Sequence, residues 1–208
     1  GAIEFEIKEK ELKIIVSDNG VGIFKKISKA MGVSGSKLAI LHLAKGKFTT
    51  DPKRHSGEGI LFTSRAFEKF KLSANGVAFL RHGEEDWTVL TEPTKKGTAV
   101  TMKIAIDSKN DLGQVFRNYT DPNSFEFSKT VILVELSRIE RESLISRSQA
   151  KRVLEGLQKF KTIILDFKGV DTVGQGFVDE IFRVFKHAHP RIEIQYINAN
   201  EDIIFMIK

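Results

Sequence analysis

The stretch Val16-Ser17-Asp18-Asn19-Gly20-Val21-Gly22-Ile23-Phe24 packs an acid, an amide and two glycines into five positions. It follows two β-like runs. Ile3 to Lys8 alternates apolar and charged residues, the period of a half-buried strand. Glu9-Lys10 reads as a turn and Glu11 to Ser17 as the second strand of a hairpin. Asp18 therefore stands where that strand stops. Asp-Asn-Gly is a common turn, and for an isolated case a plain turn is the commoner reading. The other reading is a ligand-holding loop. A carboxylate at a strand end, beside glycines that leave room for a flat ring, suits an exocyclic amine such as that of adenine.

Downstream, Phe24 to Met31 and Ser36 to Ala44 read as short helices, the second with Leu38, Leu41 and His42 near one face. Lys45 to Gly59 is a loop by composition, rich in Gly, Thr, Asp-Pro and basic residues. Gly59 to Lys71 reads as a helix with Ile60, Ala66, Phe67 and Phe70 on its apolar side. Strands are expected at Val77–Arg81, Trp87–Thr91 and Thr98–Ile106. Helices entering antiparallel strands predict an α+β two-layer sandwich.

Asp107 to Ser128 is polar and turn-rich and reads as a linker holding one short helix at Leu112–Asn118. Beyond it, Lys129–Leu136 is an expected strand. Ser146 to Phe160 is an expected helix, with Ser146 and Gln149 spaced as a capping box. Thr162–Phe167 is a continuous apolar strand, as a central sheet position requires. Phe177–His187 is a helix with Phe177, Ile181, Val184 and Phe185 on its apolar face. Ile192–Ile197 is a strand, and a last short helix starts at Asn200. The βαβαβα order predicts a small α/β domain. The expected division is 1–107, a linker at 108–128, and 129–208.

The 208 residues contain no cysteine, which excludes disulfides and cysteine-ligated zinc and fits a reducing compartment. No apolar run has the length of a membrane span, so no membrane partner is expected and a cytoplasmic location is. The net charge of +6 is concentrated. Lys25 to Arg54 holds eight basic residues and one acid, +7, so all other residues together carry −1. A local anionic partner such as a polyphosphate fits this as well as nucleic acid does.

Two further glycine sites accompany Asp18–Gly22. Gly57-Glu58-Gly59 opens a helix, where unpaired N–H groups attract phosphate, and Lys53, Arg54 and His55 stand just before it. Gly97-Thr98 opens a strand. Each alone is explained by a turn or a cap; three in this order, with a basic loop between the first two, are harder to dismiss.

Here the chain resembles the GHKL superfamily, the ATP-binding domain of gyrase, histidine kinases and related proteins. DNGVGI (Asp18–Ile23), HSGEGI (His55–Ile60) and KKGTAV (Lys95–Val100) look like its three glycine boxes, and the likeness covers Ala2 to Ile106. It implies a partial GHKL (Bergerat) fold with ATP and magnesium as cofactors. Asp18 would bind the adenine amino group, and Gly20 and Gly22 would shape its pocket. Gly57 and Gly59 would face the phosphates beside Lys53 and Arg54, with Lys25–Ser56 as the lid. Thr98 would share the adenine contact of Asp18. In the family, a helix before the hairpin carries the N box, a Glu base and an Asn that holds magnesium. Only Gly1 precedes the hairpin here, so this chain is expected to lack both residues and to be catalytically incompetent. Loss of that helix would bare apolar sheet surface, and self-association is expected.

Ile145 to Phe185 resembles a STAS-like domain of unknown function that follows GHKL domains in some bacterial proteins. Anti-anti-sigma STAS domains carry a phosphorylatable serine in an Asp-Ser-Ser-Gly loop. Leu165-Asp166-Phe167 matches their strand, but Gly174-Gln175-Gly176 occupies the loop, so no phosphoacceptor is expected; Thr172 reads as a turn residue. The resemblance implies a protein partner for this half.

Other groups read as structural. His187 and His189 have close spacing but no third ligand, so a solvated helix end is expected. Asp179 and Glu180 are expected to lie exposed, and Arg147, Lys151 and Arg152 to be solvated surface. The combined expectation is a bacterial regulatory protein in which nucleotide state biases partner binding. The alternatives are a fragment of an active GHKL ATPase or serine/threonine kinase, and a nucleic-acid-associated transcriptional regulator. In the last case nucleic acid would be held by regions upstream of these residues.

Overall fold

A computed structural model describes residues 1–32, 35–49, 51, 53–91, 96–138 and 142–208. The chain divides into two compact units, Gly1–Phe116 and Arg117–Lys208.

The first unit is built on a six-stranded antiparallel sheet. Its strands are β1 (Ala2–Lys8), β2 (Glu11–Ser17), β3 (Lys69–Ala74), β4 (Val77–His82), β5 (Glu85–Leu90) and β6 (Thr98–Ala105), in the order β1-β2-β6-β3-β4-β5. Three helices accompany it: α1 (Ile23–Met31), α2 (Ser36–Lys45) and α3 (Gly59–Ala66). The opening hairpin pairs Ile3 with Val16, Phe5 with Ile14 and Ile7 with Leu12, so its apolar residues share one face. Through β6 that face continues into Val100 and Met102, and then into Phe70 and Leu72 of β3. The middle of the sheet is the core: Phe70, Leu72, Phe79 and Met102 are buried, together with Phe24 and Ile27 of α1 and Ile40 and Leu41 of α2. Toward the edge the same face opens to solvent. Ile3, Phe5 and Ile7 of β1 are 62%, 70% and 67% exposed.

One expected element is wrong. The helix read over Gly59 to Lys71 ends at Ala66, Phe67 turns extended, and Lys69–Ala74 is β3. Phe70 belongs to the sheet core and not to the helix. The hairpin geometry explains why. Asn75 and Gly76 both have positive φ, 52° and 78°, as a tight two-residue hairpin turn requires, and they return the chain from β3 into β4. Helix α3 is held to the sheet by Arg65, whose guanidinium meets Asp86 of β5 at 3.0 Å, while Arg81 of β4 meets the other carboxylate oxygen at 2.8 Å. All three side chains are nearly buried, so Asp86 neutralises charge that water cannot reach.

Within the residues expected to form a linker lies α4 (Leu112–Tyr119), followed by an isolated bridge between Thr120 and Phe127. In the second unit, β7 (Lys129–Leu133), β8 (Thr162–Asp166) and β9 (Glu193–Ile197) form a parallel sheet in the order β7-β8-β9. Strand β7 stops at Leu133 and a 3-10 turn covers Val134–Ser137, so the strand expected to reach Leu136 is shorter. Helix α5 (Arg147–Leu154) carries the capping box: Ser146 accepts from the Gln149 amide, and the Gln149 side chain accepts from the Ser146 amide. It ends at Leu154 and not at Phe160, because Gly156 adopts a left-handed conformation before a short 3-10 turn. After β8, α6 (Gln175–Asp179) runs through a π turn at Glu180–Phe185 into α7 (Lys186–Ala188), and α8 (Glu201–Ile207) closes the unit. Ile163, Leu165, Phe167, Phe177, Ile181 and Ile203 form its core.

Candidate functional site

The loop after β2 is fixed from three directions. The backbone ladder between β2 and β6 runs one step past the strands: the Asp18 amide donates to the Thr98 carbonyl at 2.9 Å. Within the loop, the Gly20 amide donates to Asp18 Oδ1 at 2.7 Å, an Asx turn. The Thr98 hydroxyl accepts from the Ile23 amide at 3.0 Å. Ile23 is the first residue of α1, whose N-cap is Gly22 and offers no side chain. Its orphan N–H groups are therefore satisfied from elsewhere in the chain. Thr98 takes one of them. Asn75, at the tip of the β3–β4 hairpin, takes another: its Oδ1 accepts from the Lys25 amide at 3.1 Å. The Asn75 Nδ2 also donates to the Val21 carbonyl at 3.0 Å.

The glycines of this loop answer to close approach. A Cβ on Gly97 would lie 1.9 Å from the Asp18 carbonyl oxygen, and Gly97 has φ +106°. A Cβ on Gly22 would lie 2.3 Å from Asn75 Oδ1, again at positive φ, +86°. Asp18, Gly20, Gly22 and Thr98, chosen from sequence, are thus one cluster, with Gly97 and Asn75 as its supports. The sequence reading passed over Asn75, although Asn75-Gly76 marks a hairpin turn and could have drawn attention to it. Lys95, part of the third glycine box, lies outside the described residues, as do positions 33, 34, 50 and 52 of the expected lid.

Gly57 and Gly59 form a second group. A Cβ on Gly57 would lie 2.4 Å from the Phe48 carbonyl oxygen, so Gly57 seats the loop on the end of the α2 region. Gly59 opens α3 with nothing within 4 Å of a Cβ. Lys53 and Arg54 are exposed, and Arg54 reaches Asp51 at 3.8 Å. Among the described residues, no hydrogen bond or ion pair links this group to the Asp18 cluster. Between them α2 buries His42, and that burial, with Lys45 beside it, pushes the imidazole down to about 4.

The donor set of the Asp18 cluster fits an adenine. Asp18 is exposed and uses one carboxylate oxygen within the loop; the second has no partner among the described residues. The Thr98 hydroxyl accepts from Ile23 and keeps its own proton to donate. Gly20 is exposed beside them, whereas Gly22 is buried, its side-chain space filled by the Asn75 amide.

In the second unit, Gly174-Gln175-Gly176 is closed by the chain segment in front of it. Leu144 and Val173 form a parallel bridge, and the Gly174 amide donates to the Leu144 carbonyl at 2.8 Å. A Cβ on Gly174 would lie 2.4 Å from Ile145 Cγ2, and one on Gly176 would lie 3.0 Å from the Ile145 carbonyl oxygen. A serine at position 174 has no room. Glu180 corrects its expected exposure: it is buried on the π turn, 4.0 Å from Lys151. Arg147 pairs with Asp179 at 2.7 Å and Arg152 with Glu142 at 2.8 Å, so the basic patch is partly neutralised. His187 is exposed and His189 meets Phe185 at a tilted angle, ring centroids 4.4 Å apart, and among the described residues no group of side chains has metal-site geometry.

A family model for the STAS-like domain of unknown function (DUF4325) matches residues 149–203, which makes the C-terminal domain STAS-like. No curated protein matches the chain. Among the described residues no helix is long and apolar enough to cross a membrane.

Proposed function

We infer that the chain is a regulatory protein in which a GHKL-type nucleotide-binding unit biases the partner binding of a STAS-like unit. One observation carries the reading: Asp18 and Thr98, eighty positions apart, are hydrogen-bonded through their backbones, and Thr98 fixes the start of α1 with its hydroxyl. Gly97 lets the two segments touch, and the Thr98 hydroxyl keeps its proton to donate to a ligand beside Asp18. In this reading Asp18 accepts the adenine amine, Thr98 donates to the same ring edge, and Gly20 and Gly22 lie under it. Lys53, Arg54, Gly57 and Gly59 meet the phosphates, whose charge magnesium would help to neutralise. The parallel β7-β8-β9 domain supplies the protein-binding half, without phosphotransfer at Gly174–Gly176. The bare β1 face supports association with a second copy.

Titration with magnesium ADP tests the reading. Saturable binding that chloride does not reverse steeply is the expected result. Binding of duplex DNA that falls steeply with salt and ignores ADP would favour the nucleic-acid alternative.

A further inference from the structure

We propose that Asn75 is the positioning residue that holds the Asp18–Gly22 loop in its binding shape, a role that deepens the nucleotide reading and rests on it. Thr98 pins both ends of the loop, its carbonyl accepting from the Asp18 amide and its hydroxyl from the Ile23 amide. Asn75 grips the stretch where the loop enters α1, and it uses both functions of its amide: Nδ2 donates to the Val21 carbonyl and Oδ1 accepts from the Lys25 amide. These two bonds straddle Gly22, and the space a side chain would fill at Gly22 is the space the Asn75 amide occupies. Gly22 and Asn75 are one device: the glycine removes its own cap, and the asparagine supplies it across more than fifty residues of sequence.

The hairpin tip is itself anchored. Asn75 sits at φ 52° in the Asn-Gly turn, a conformation that asparagine tolerates better than most residues. Gly76 beside it accepts a hydrogen bond from the Thr91 amide at 2.9 Å. The clamp therefore belongs to the sheet and does not move with the loop. A flat ligand beside Gly20 meets a loop already ordered, which lowers the entropy lost on binding. Asn75 touches no ligand atom in this account; it acts through Val21 and Lys25.

The decisive variant is Asn75→Gly, which removes the amide and leaves the positive φ unstrained. Hydrogen exchange gives a readout that does not depend on any ligand. The Gly20 and Ile23 amides are bonded to Asp18 and Thr98, not to Asn75. If Asn75 orders the whole loop, both exchange at least tenfold faster in the variant, while Leu72 and Phe79 in the sheet core keep their protection. Acceleration confined to Lys25 would overturn the proposal, because it would reduce Asn75 to a local cap. Asn75→Asp serves as the second variant should the glycine variant fail to fold. It keeps the acceptor for Lys25, loses the donor for Val21 and is expected to accelerate the same amides. The magnesium-ADP dissociation constant is expected to rise about tenfold in Asn75→Gly. An unchanged constant in a protein that binds ADP would also overturn it. Absence of ADP binding in the unsubstituted protein would remove the nucleotide reading alone, and the exchange of Gly20 and Ile23 would still decide the role of Asn75.

Discussion

Among the described glycines, Gly97 leaves the least room for a side chain. Its missing Cβ would fall 1.9 Å from the Asp18 carbonyl oxygen, and its φ of +106° is strained for any L side chain. Gly97→Ala is expected to cost roughly 3 kcal/mol, the sum of overpacking against rigid backbone and left-handed strain. Urea denaturation of the variant checks this, and a loss under about 0.5 kcal/mol, typical of harmless surface changes, would show that the two segments part freely. The cluster was legible in the sequence as far as residue types allow. Asp18, Gly20 and Gly22 read as an ordinary turn by themselves and stood out only in company with the glycines at 57, 59 and 97, and Thr98 through the resemblance those three boxes carry. Asn75 did not, because its work is done at a distance that no local spacing reveals. Gly174 and Gly176 were legible as an absence of serine, but their reason is the nearby Ile145, which only the fold brings up.

Elements with a single clear period were read well, and those whose period is ambiguous were not. Strand β1 alternates strictly and turns at Glu9-Lys10 into β2 as expected. Residues 59–71 place apolar side chains at 60, 61, 62, 66, 67 and 70, and that spacing masks a change from helix to strand at Phe67. The Asn75-Gly76 turn, flanked by Phe70, Leu72 and Ala74 on one side, carried the contrary signal. In the second unit Glu180 stands three positions after the buried Phe177, a helical spacing that puts both on one face, and it is buried there against the expected exposure. Helix α2 makes a prediction of its own. His42 is held neutral in the folded chain, at about 4 against an ordinary 6.5. Between those values the unfolded chain binds the extra proton, so stability is full above pH 6.5 and falls as the pH drops toward 4. The loss approaches about 3 kcal/mol. His42→Leu is expected to flatten that decline in urea midpoints measured from pH 7 to pH 4. An unchanged slope would assign the acid sensitivity to other groups.

At the scale of the whole chain, composition and element order separated an antiparallel α+β unit from a parallel α/β unit, and the structure has both kinds of sheet. The +7 stretch maps onto α1, α2 and the loop before α3, where it neighbours the glycine sites in sequence. The bare face of β1 carries a consequence for assembly. Ile3, Phe5 and Ile7 continue the core face of the sheet into solvent. The chain is expected to associate in a concentration-dependent way in sedimentation velocity, and Phe5→Lys to shift it toward the monomer; a protein monomeric at every concentration would remove that expectation. The central claim is that Asp18 receives an adenine, and calorimetric titration of magnesium ADP and magnesium ATP into the chain and its Asp18→Asn variant tests it most directly. The account predicts one saturable site per chain, lost in the variant while the circular dichroism spectrum is kept. Equal binding to both proteins, or to neither, would contradict it and leave Asp18–Gly22 a structural turn.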